Sequence, residues 1–451
     1  ALRLHYTQVQ PGLARWSIVG WLIEVNLLRG IDVATAQTMH LAAWWGHAIL
    51  VAVFFATIPV DRFLHVITGP LNIAGRPERP MGTLVPLNME EVEQTGRTGV
   101  HRLADFNRQQ LLSLDSCMEC GRCEDACPAT ATGCQACVQE CPVLIGHVDL
   151  ISDMRRDLIG QGKLSGPPAK ALQQIASQSN PYGRSNAERL AWAEGLEVPT
   201  AESNPSFEYL LWVGCAASFD PRAQKVARAT VQLLKNAGVN FAVLGKEETC
   251  TGDPARRIGD EFLFQQRAHT NVETLTRRNV KKIVTPCPHC YNTLKNEYPQ
   301  FGGQYEVQHH STLLAELVEV GRLSNSGSNG DPITLHDPCY LARVNGEVDA
   351  TRAVVGATND PQYREMPRCG KKTFCCGAGG GRMWFEEAPS QRVSVLRSQE
   401  ALATGARTLA TACPFCLNMM TDGMAGTQGG ENVKVLDIAE VLLSRQTRAS
   451  R

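Results

Sequence analysis

Cysteine placement constrains this chain more than any other feature. The last group of its 17 cysteines is Cys339, the pair Cys375-Cys376 before Gly377, and Cys413-Pro-Phe-Cys416. Zinc closes with four protein ligands, so a fifth thiolate would be left over. Five sulfurs spaced as one, a pair and a CxxC suit a metal–sulfur cluster better. Clustered CxxC pairs also favour metal ligation in a reducing compartment over disulfides. The chain's 451 residues allow two to four domains, and its net charge of −1 gives no pull toward nucleic acid.

The same pattern occurs twice. Cys215 and Cys339 lie 124 residues apart, Cys250 and Cys375 lie 125 apart, and Cys287 and Cys413 lie 126 apart. Such matching offsets indicate a duplicated unit. From Phe207 onward the chain alternates apolar strands with helices, an α/β pattern. Strands are predicted at Tyr209–Val213, Phe241–Leu244, Lys282–Thr285, Ile333–Leu335 and Thr408–Thr411. Helices are predicted at Ala223–Ala237, Phe262–Arg278, Thr312–Val320 and Gln391–Ala403. Both CxxC pairs follow a strand and open a helix, where the helix dipole favours thiolate charge. Cys250-Thr251-Gly252 replaces the Cys-Cys-Gly of the second copy, leaving the first with Cys215, Cys250, Cys287 and Cys290. These four read as structural or cluster cysteines, with a structural relic favoured. Arg256, Arg257 and Arg382 flank the Cys-Gly motifs and either offset cluster charge or face solvent. Cys369 reads as an ordinary thiol. The glycine run after Cys376 lacks the dinucleotide fingerprint.

Upstream lies Cys117-x2-Cys120-x2-Cys123-x3-Cys127-Pro128, a strong [4Fe–4S] signature. A second copy, Cys134-x2-Cys137-x3-Cys141-Pro142, keeps three of four cysteines; Ala131 stands at the first position. In paired motifs the fourth cysteine serves the other cluster. One cubane therefore takes Cys117, Cys120, Cys123 and Cys141. The other takes Cys127, Cys134 and Cys137, with either an unlike fourth ligand or a cysteine from a loop missing at Ala129–Gly133; the missing loop is favoured.

Val33–Val60 carries no Asp, Glu, Lys or Arg, and is long enough to span a bilayer as a helix. The chain opens on Ala-Leu-Arg-Leu rather than Met, so further membrane helices are expected upstream. His47 and His65 are 18 residues apart, five helical turns, and would share one face about 27 Å apart. One histidine near each leaflet suits two stacked b haems. Pro59 lies between them and could kink the helix. His40 shares the face without an evident role.

Cys339…Cys375-Cys376-Gly377…Cys413-x-x-Cys416 resembles the cysteine-rich CCG domain of heterodisulfide reductase subunits. That resemblance implies a non-cubane [4Fe–4S] cluster on the five cysteines. Cys250-Thr-Gly-Asp-Pro-Ala-Arg256-Arg257 and Cys287-Pro-His-Cys290 look like the degenerate first domain of fused membrane relatives. The membrane helix is similar to the last helices of a respiratory nitrate reductase cytochrome b subunit. The order of parts resembles the electron-transfer-flavoprotein:menaquinone oxidoreductase family, the iron–sulfur protein of dimethylglycine catabolism and heterodisulfide reductase D.

The expected protein is multidomain. Its parts are a transmembrane α-helical, cytochrome b-like segment (1–72), a linker (73–97), a ferredoxin-like α-helical [4Fe–4S] domain (98–165), a second linker (166–206), a degenerate α/β CCG domain (207–325) and a complete one (326–447). The implied activity passes electrons from a soluble flavoprotein, an electron-transfer flavoprotein, to menaquinone or another quinone. It would act at the cytoplasmic membrane, with the iron–sulfur domains facing the cytoplasm and a quinone pocket near His65 and Arg62. The alternatives are a heterodisulfide or trisulfide reductase and the iron–sulfur subunit of a flavin-dependent hydroxy-acid oxidase. The membrane helix argues against the last.

Overall fold

The computed structural model describes residues 18–28, 30–60, 62–127, 133–325, 331–357, 360–385 and 392–449. Pro128, Ala131 and Gln391, used above, lie outside them. The chain divides into two units, residues 1–71 with 115–118, and residues 72–114 with 119–451.

The first unit contains helices Ile18–Leu27 and Val33–Thr57. Asp32 caps the second by accepting from the Thr35 amide at 3.0 Å. Val33–Val60 is long and apolar enough to cross a membrane, and nearly all of it is exposed. The regular helix stops at Thr57, a 3-10 turn carries Pro59, and His65 starts a new helix ending at Ala74. Proline lacks the N–H that would continue the helix, and its ring crowds the preceding turn. His47 and His65 therefore occupy different helices, and the single shared face expected from their spacing does not form.

The second unit is built on two parallel sheets. The first has the order β2-β1-β3-β4, with β1 Tyr209–Leu211, β2 Phe241–Ala242, β3 Lys282–Thr285 and β4 Glu306–His309. The second has the order β5-β6-β7, with β5 Ile333–His336, β6 Thr408–Thr411 and β7 Lys434–Asp437. Tyr363 bridges Ile333 where β2 flanks β1 in the first sheet, so the duplication extends to topology. β5 and β6 are wholly buried, as suits parallel strands covered on both faces. β4 and β7 escaped the sequence reading; both are only partly buried. The anticipated helices appear at Pro221–Asn236, Glu261–Arg277, His310–Glu319 and Val393–Leu402.

The repeats pack together through polar links, one of them fully buried. His310 Nε2 lies 3.0 Å from Asp437 Oδ1, both fully buried, and Arg222 pairs with Glu440 at 2.7 Å. Neither stretch read as a linker behaves as one. Gly82–Leu87 lies against the first repeat: Arg257 donates to Gly82 O, Arg256 to Leu84 O, and the Leu84 amide to Glu297. Residues 166–206 contain helix Pro167–Gln178 and a 3-10 segment, Asn186–Ala193, that buries Arg189 and Trp192.

Candidate metal–sulfur centre

Each CxxC begins where a strand ends. β3 leads into Cys287, which caps helix Pro288–Asn292; β6 leads into Cys413, which caps helix Pro414–Ala425. Proline at the first helical position costs nothing, since that N–H has no helical partner. His309, at the end of β4, hydrogen-bonds the backbone of Pro286 and Ala412, the residues just before the two CxxC motifs. One buried ring thus ties both turns together.

The five cysteines of the second repeat meet. Cys339, Cys375, Cys376, Cys413 and Cys416 are all buried and none forms a disulfide. Cys375 contacts Cys339 and Cys376, the Cys376 and Cys416 sulfurs lie 3.3 Å apart, and Cys416 contacts Cys413. The four of the first repeat also converge. Cys215, Cys250, Cys287 and Cys290 line one small cavity with Trp212, His289, Pro414 and Phe415. Cys287 hydrogen-bonds Cys413, so the two sets touch.

Backbone geometry repeats as well. The Gly252 amide donates to Cys250 Sγ at 3.4 Å and the Gly377 amide to Cys375 Sγ at 3.2 Å. Both glycines have positive φ, +84° and +102°, which L side chains rarely adopt. Thr251 takes the place of Cys376: its hydroxyl sits 3.9 Å from Cys290 Sγ, as the Cys376 sulfur sits against Cys416.

Ionisation is uneven among the thiols. A hydrogen bond from Cys250 holds Cys215 below the usual thiol range, helped by Arg189, whose guanidinium lies 3.5 Å from its sulfur. Hydrogen bonds with Cys375 and Cys416 hold Cys376 well below it. Burial pushes Cys287 up, but hydrogen bonds with Cys290 and Cys413 outweigh it and leave Cys287 low. Burial opposes a charged His289, yet Asp253 outweighs it and lifts the imidazole pKa to about 9. His289 stacks on Tyr340 at 4.3 Å.

The ferredoxin-like segment reaches this centre. Cys137 is pushed up to about 12 by burial and then by Cys134 and Cys127. Cys134 hydrogen-bonds Cys375, a contact the sequence did not reveal. Cys141 is buried with Val143, Ile145 and Leu150. Cys120 is exposed, Cys123 half-buried, and Cys117 is exposed in the other unit. Arg256 and Arg257 do not face solvent. Both are buried and neutralised, Arg256 by Glu261 and Glu297, Arg257 by Asp253 and Glu297. Arg382 and Cys369 are half-buried.

Residues 209–295 and 333–421 match the cysteine-rich CCG domain family. The chain is 35% identical to the EtfAB:quinone oxidoreductase of Syntrophomonas wolfei, over 94% of this chain and 70% of that protein. It is 37% identical to a probable membrane-anchored ferredoxin of Chromohalobacter salexigens, over 94% and 72%. A dihydromethanophenazine:CoB–CoM heterodisulfide reductase polypeptide of Methanosarcina barkeri matches at 28%, over 74% and 94%. The chain belongs to the EtfAB:quinone oxidoreductase family of iron–sulfur oxidoreductases.

The residues present fit the iron–sulfur groups of that family. Nine buried or half-buried thiols gather without disulfides, and each repeat aims a backbone N–H at sulfur. The buried Trp212 Nε1 meets no hydrogen-bond partner among the described residues, and the buried His336 ring hydrogen-bonds the Cys376 thiol. An orphaned buried donor costs about 1–3 kcal/mol, so such donors mark a place for an acceptor. Sequence reasoning missed Arg189, Trp212, His336 and Arg397. Aligning Trp212-Val-Gly-Cys215 with His336-Asp-Pro-Cys339 exposes the second and third. Arg189 and Arg397 carry no local signal.

Proposed function

We propose that this oxidoreductase passes electrons from a soluble flavoprotein, an electron-transfer flavoprotein, to menaquinone or a related quinone at the cytoplasmic membrane. The reading rests on one observation: a continuous file of thiols from Cys137 and Cys134, through Cys375, Cys376, Cys416 and Cys413, to Cys287 and Cys290. Iron–sulfur groups, when bound, supply one-electron carriers along such a file. The five cysteines of the second repeat hold a non-cubane [4Fe–4S] cluster, and Cys215, Cys250, Cys287 and Cys290 hold a further group. One cubane sits on Cys117, Cys120, Cys123 and Cys141, the other on Cys127, Cys134 and Cys137. Two electrons from reduced flavin, with two protons, convert the quinone to hydroquinone. The protein's own residues exclude water from the file and fix the charge around it. The name of the Syntrophomonas relative supports flavoprotein and quinone as partners, and that of the Chromohalobacter relative, with the Val33–Val60 helix, supports a membrane anchor. The iron–sulfur domains face the cytoplasm, and His47 and His65 each ligate haem b from its own helix.

The test is direct. Iron-loaded protein in lipid is mixed with reduced electron-transfer flavoprotein and a short-chain menaquinone. Hydroquinone formation is expected. Turnover of a disulfide without response to flavoprotein would replace this reading with the heterodisulfide one. Burial of all five sulfurs leaves a disulfide substrate little access and favours the conduit. A membrane fraction without a Soret band would remove the haem assignment.

A further inference from the structure

The third residue before the first cysteine of each repeat carries a ring N–H: Trp212 before Cys215, His336 before Cys339. The two positions are structurally equivalent, Trp212 directly following β1 and His336 closing β5. Both side chains are buried, at 0% and 1% exposure. Trp212 lines the cavity shared by the four cysteines of its repeat, and its Nε1 has no partner among the described residues. An indole nitrogen can only donate.

For His336 the tautomer is fixed. Arg397 Nε donates to Nδ1 at 3.0 Å, and arginine does not give up its proton in proteins. Nδ1 is therefore the bare nitrogen and Nε2 carries the hydrogen. Nε2 is turned to sulfur: the ring hydrogen-bonds Cys376, and one of its nitrogens lies within 4.8 Å of the Cys376 and Cys416 sulfurs. A protonated nitrogen offers iron no lone pair, so this histidine is placed to donate to sulfur and not to ligate. Arg397 is fully buried and paired with Glu400 at 2.7 Å, which holds the ring's orientation from behind.

We propose that Trp212 and His336 are equivalent positioning residues, each giving its ring N–H to sulfur in the group held by its own repeat and thereby raising that group's reduction potential. The proposal rests on the reading that the cysteines of both repeats hold iron–sulfur groups. Reduction adds negative charge to sulfur, and a donor aimed at it stabilises the reduced form more than the oxidised one. The effect is larger for His336, because the Arg397 cation polarises its N–H, and indole nitrogen has no second site to polarise.

The experiment compares His336→Phe, His336→Gln and Trp212→Phe in the full iron-loaded chain, with iron and sulfide counted and potentials read by redox titration followed by electron paramagnetic resonance. His336→Phe is expected to shift the five-cysteine group roughly tenfold toward its oxidised form, about 59 mV for one electron. His336→Gln, which keeps an N–H, is expected to recover much of the shift. Trp212→Phe is expected to move only the group of the first repeat, and less. Wild type in light and heavy water is expected to differ by an exchangeable proton coupling that His336→Phe lacks. Unchanged potentials at full iron content overturn the proposal, as does a strongly coupled histidine nitrogen, which would make His336 a ligand. Should His336→Phe not retain iron, Arg397→Met keeps the ring but frees its tautomer: a lowered potential supports the proposal and an unchanged one overturns it. A wild-type chain with no iron at the cysteines of either repeat would instead remove the underlying reading.

Discussion

The two repeats share topology, CxxC placement and a glycine amide aimed at sulfur, yet they solve one electrostatic problem with different residues. The second packs five thiols and sets the neutral Phe415 between the cysteines of its CxxC. The first packs four, puts Thr251 where the fifth would be, and sets His289 at the matching position. His289 is balanced by Asp253, and Arg189 reaches the Cys215 sulfur while neutralising Glu248 at 3.0 Å. The lesson is that losing one thiol did not open the site. A hydroxyl fills the place of the sulfur, and buried ion pairs adjust the charge.

Exchanging the differing residue tests this comparison most severely. Cys376→Thr should abolish the spectroscopic signal of the five-thiol group, leave the cubanes intact, and make the second repeat resemble the first; electron paramagnetic resonance and iron counts read the outcome. The reciprocal Thr251→Cys should give the first repeat a five-thiol signal. An unchanged spectrum in both would mean that the fifth cysteine is not what separates them.

Arg189→Met probes the charge adjustment. It strands the buried Glu248, whose oxygens already accept the Val213 and Gly214 amides at 2.9 and 2.8 Å. Breaking a buried pair from one side costs about 3 kcal/mol, and denaturant unfolding should show it. If Glu248→Gln in the same background restored nothing, the loss would lie in packing and not in charge.

The glycines sharpen the comparison further. A Cβ at Gly252 would meet Phe264 at 2.8 Å, whereas at Gly377 it would meet the flexible end of Met419 at 3.0 Å. Both alanine variants bear the positive-φ penalty of about 1–2 kcal/mol, and Gly252→Ala should melt at the lower temperature. Equal melting would show that the ring yields as easily as the methionine. Last, Arg222→Ala removes the partly exposed pair with Glu440 between the repeats. It should cost about 1 kcal/mol or less, diminishing with salt.

Much of the site was legible before any fold was known. Ligand spacing is a local property, so Cys375-Cys376-Gly377 and both CxxC pairs declare themselves, and the offsets of 124 to 126 residues reveal the duplication. β3 and β6 were legible because both lie inside their sheets and carry apolar runs. β4 and β7, at sheet edges and only partly buried, were not.

Sequence by itself determined the thiol sets, the repeat and a helix apolar enough for a bilayer, because each depends on residues close in the chain or on composition. Only the tertiary structure decided what meets across distance. It brought Cys134 to Cys375 and Cys287 to Cys413, turned two apparent linkers into packed supports, and separated His47 from His65 at Pro59. It also fixed the His336 tautomer through Arg397, 61 residues away. Burial forces each polar group to find a partner, and which partner it finds depends on how the elements pack, information that no local spacing carries.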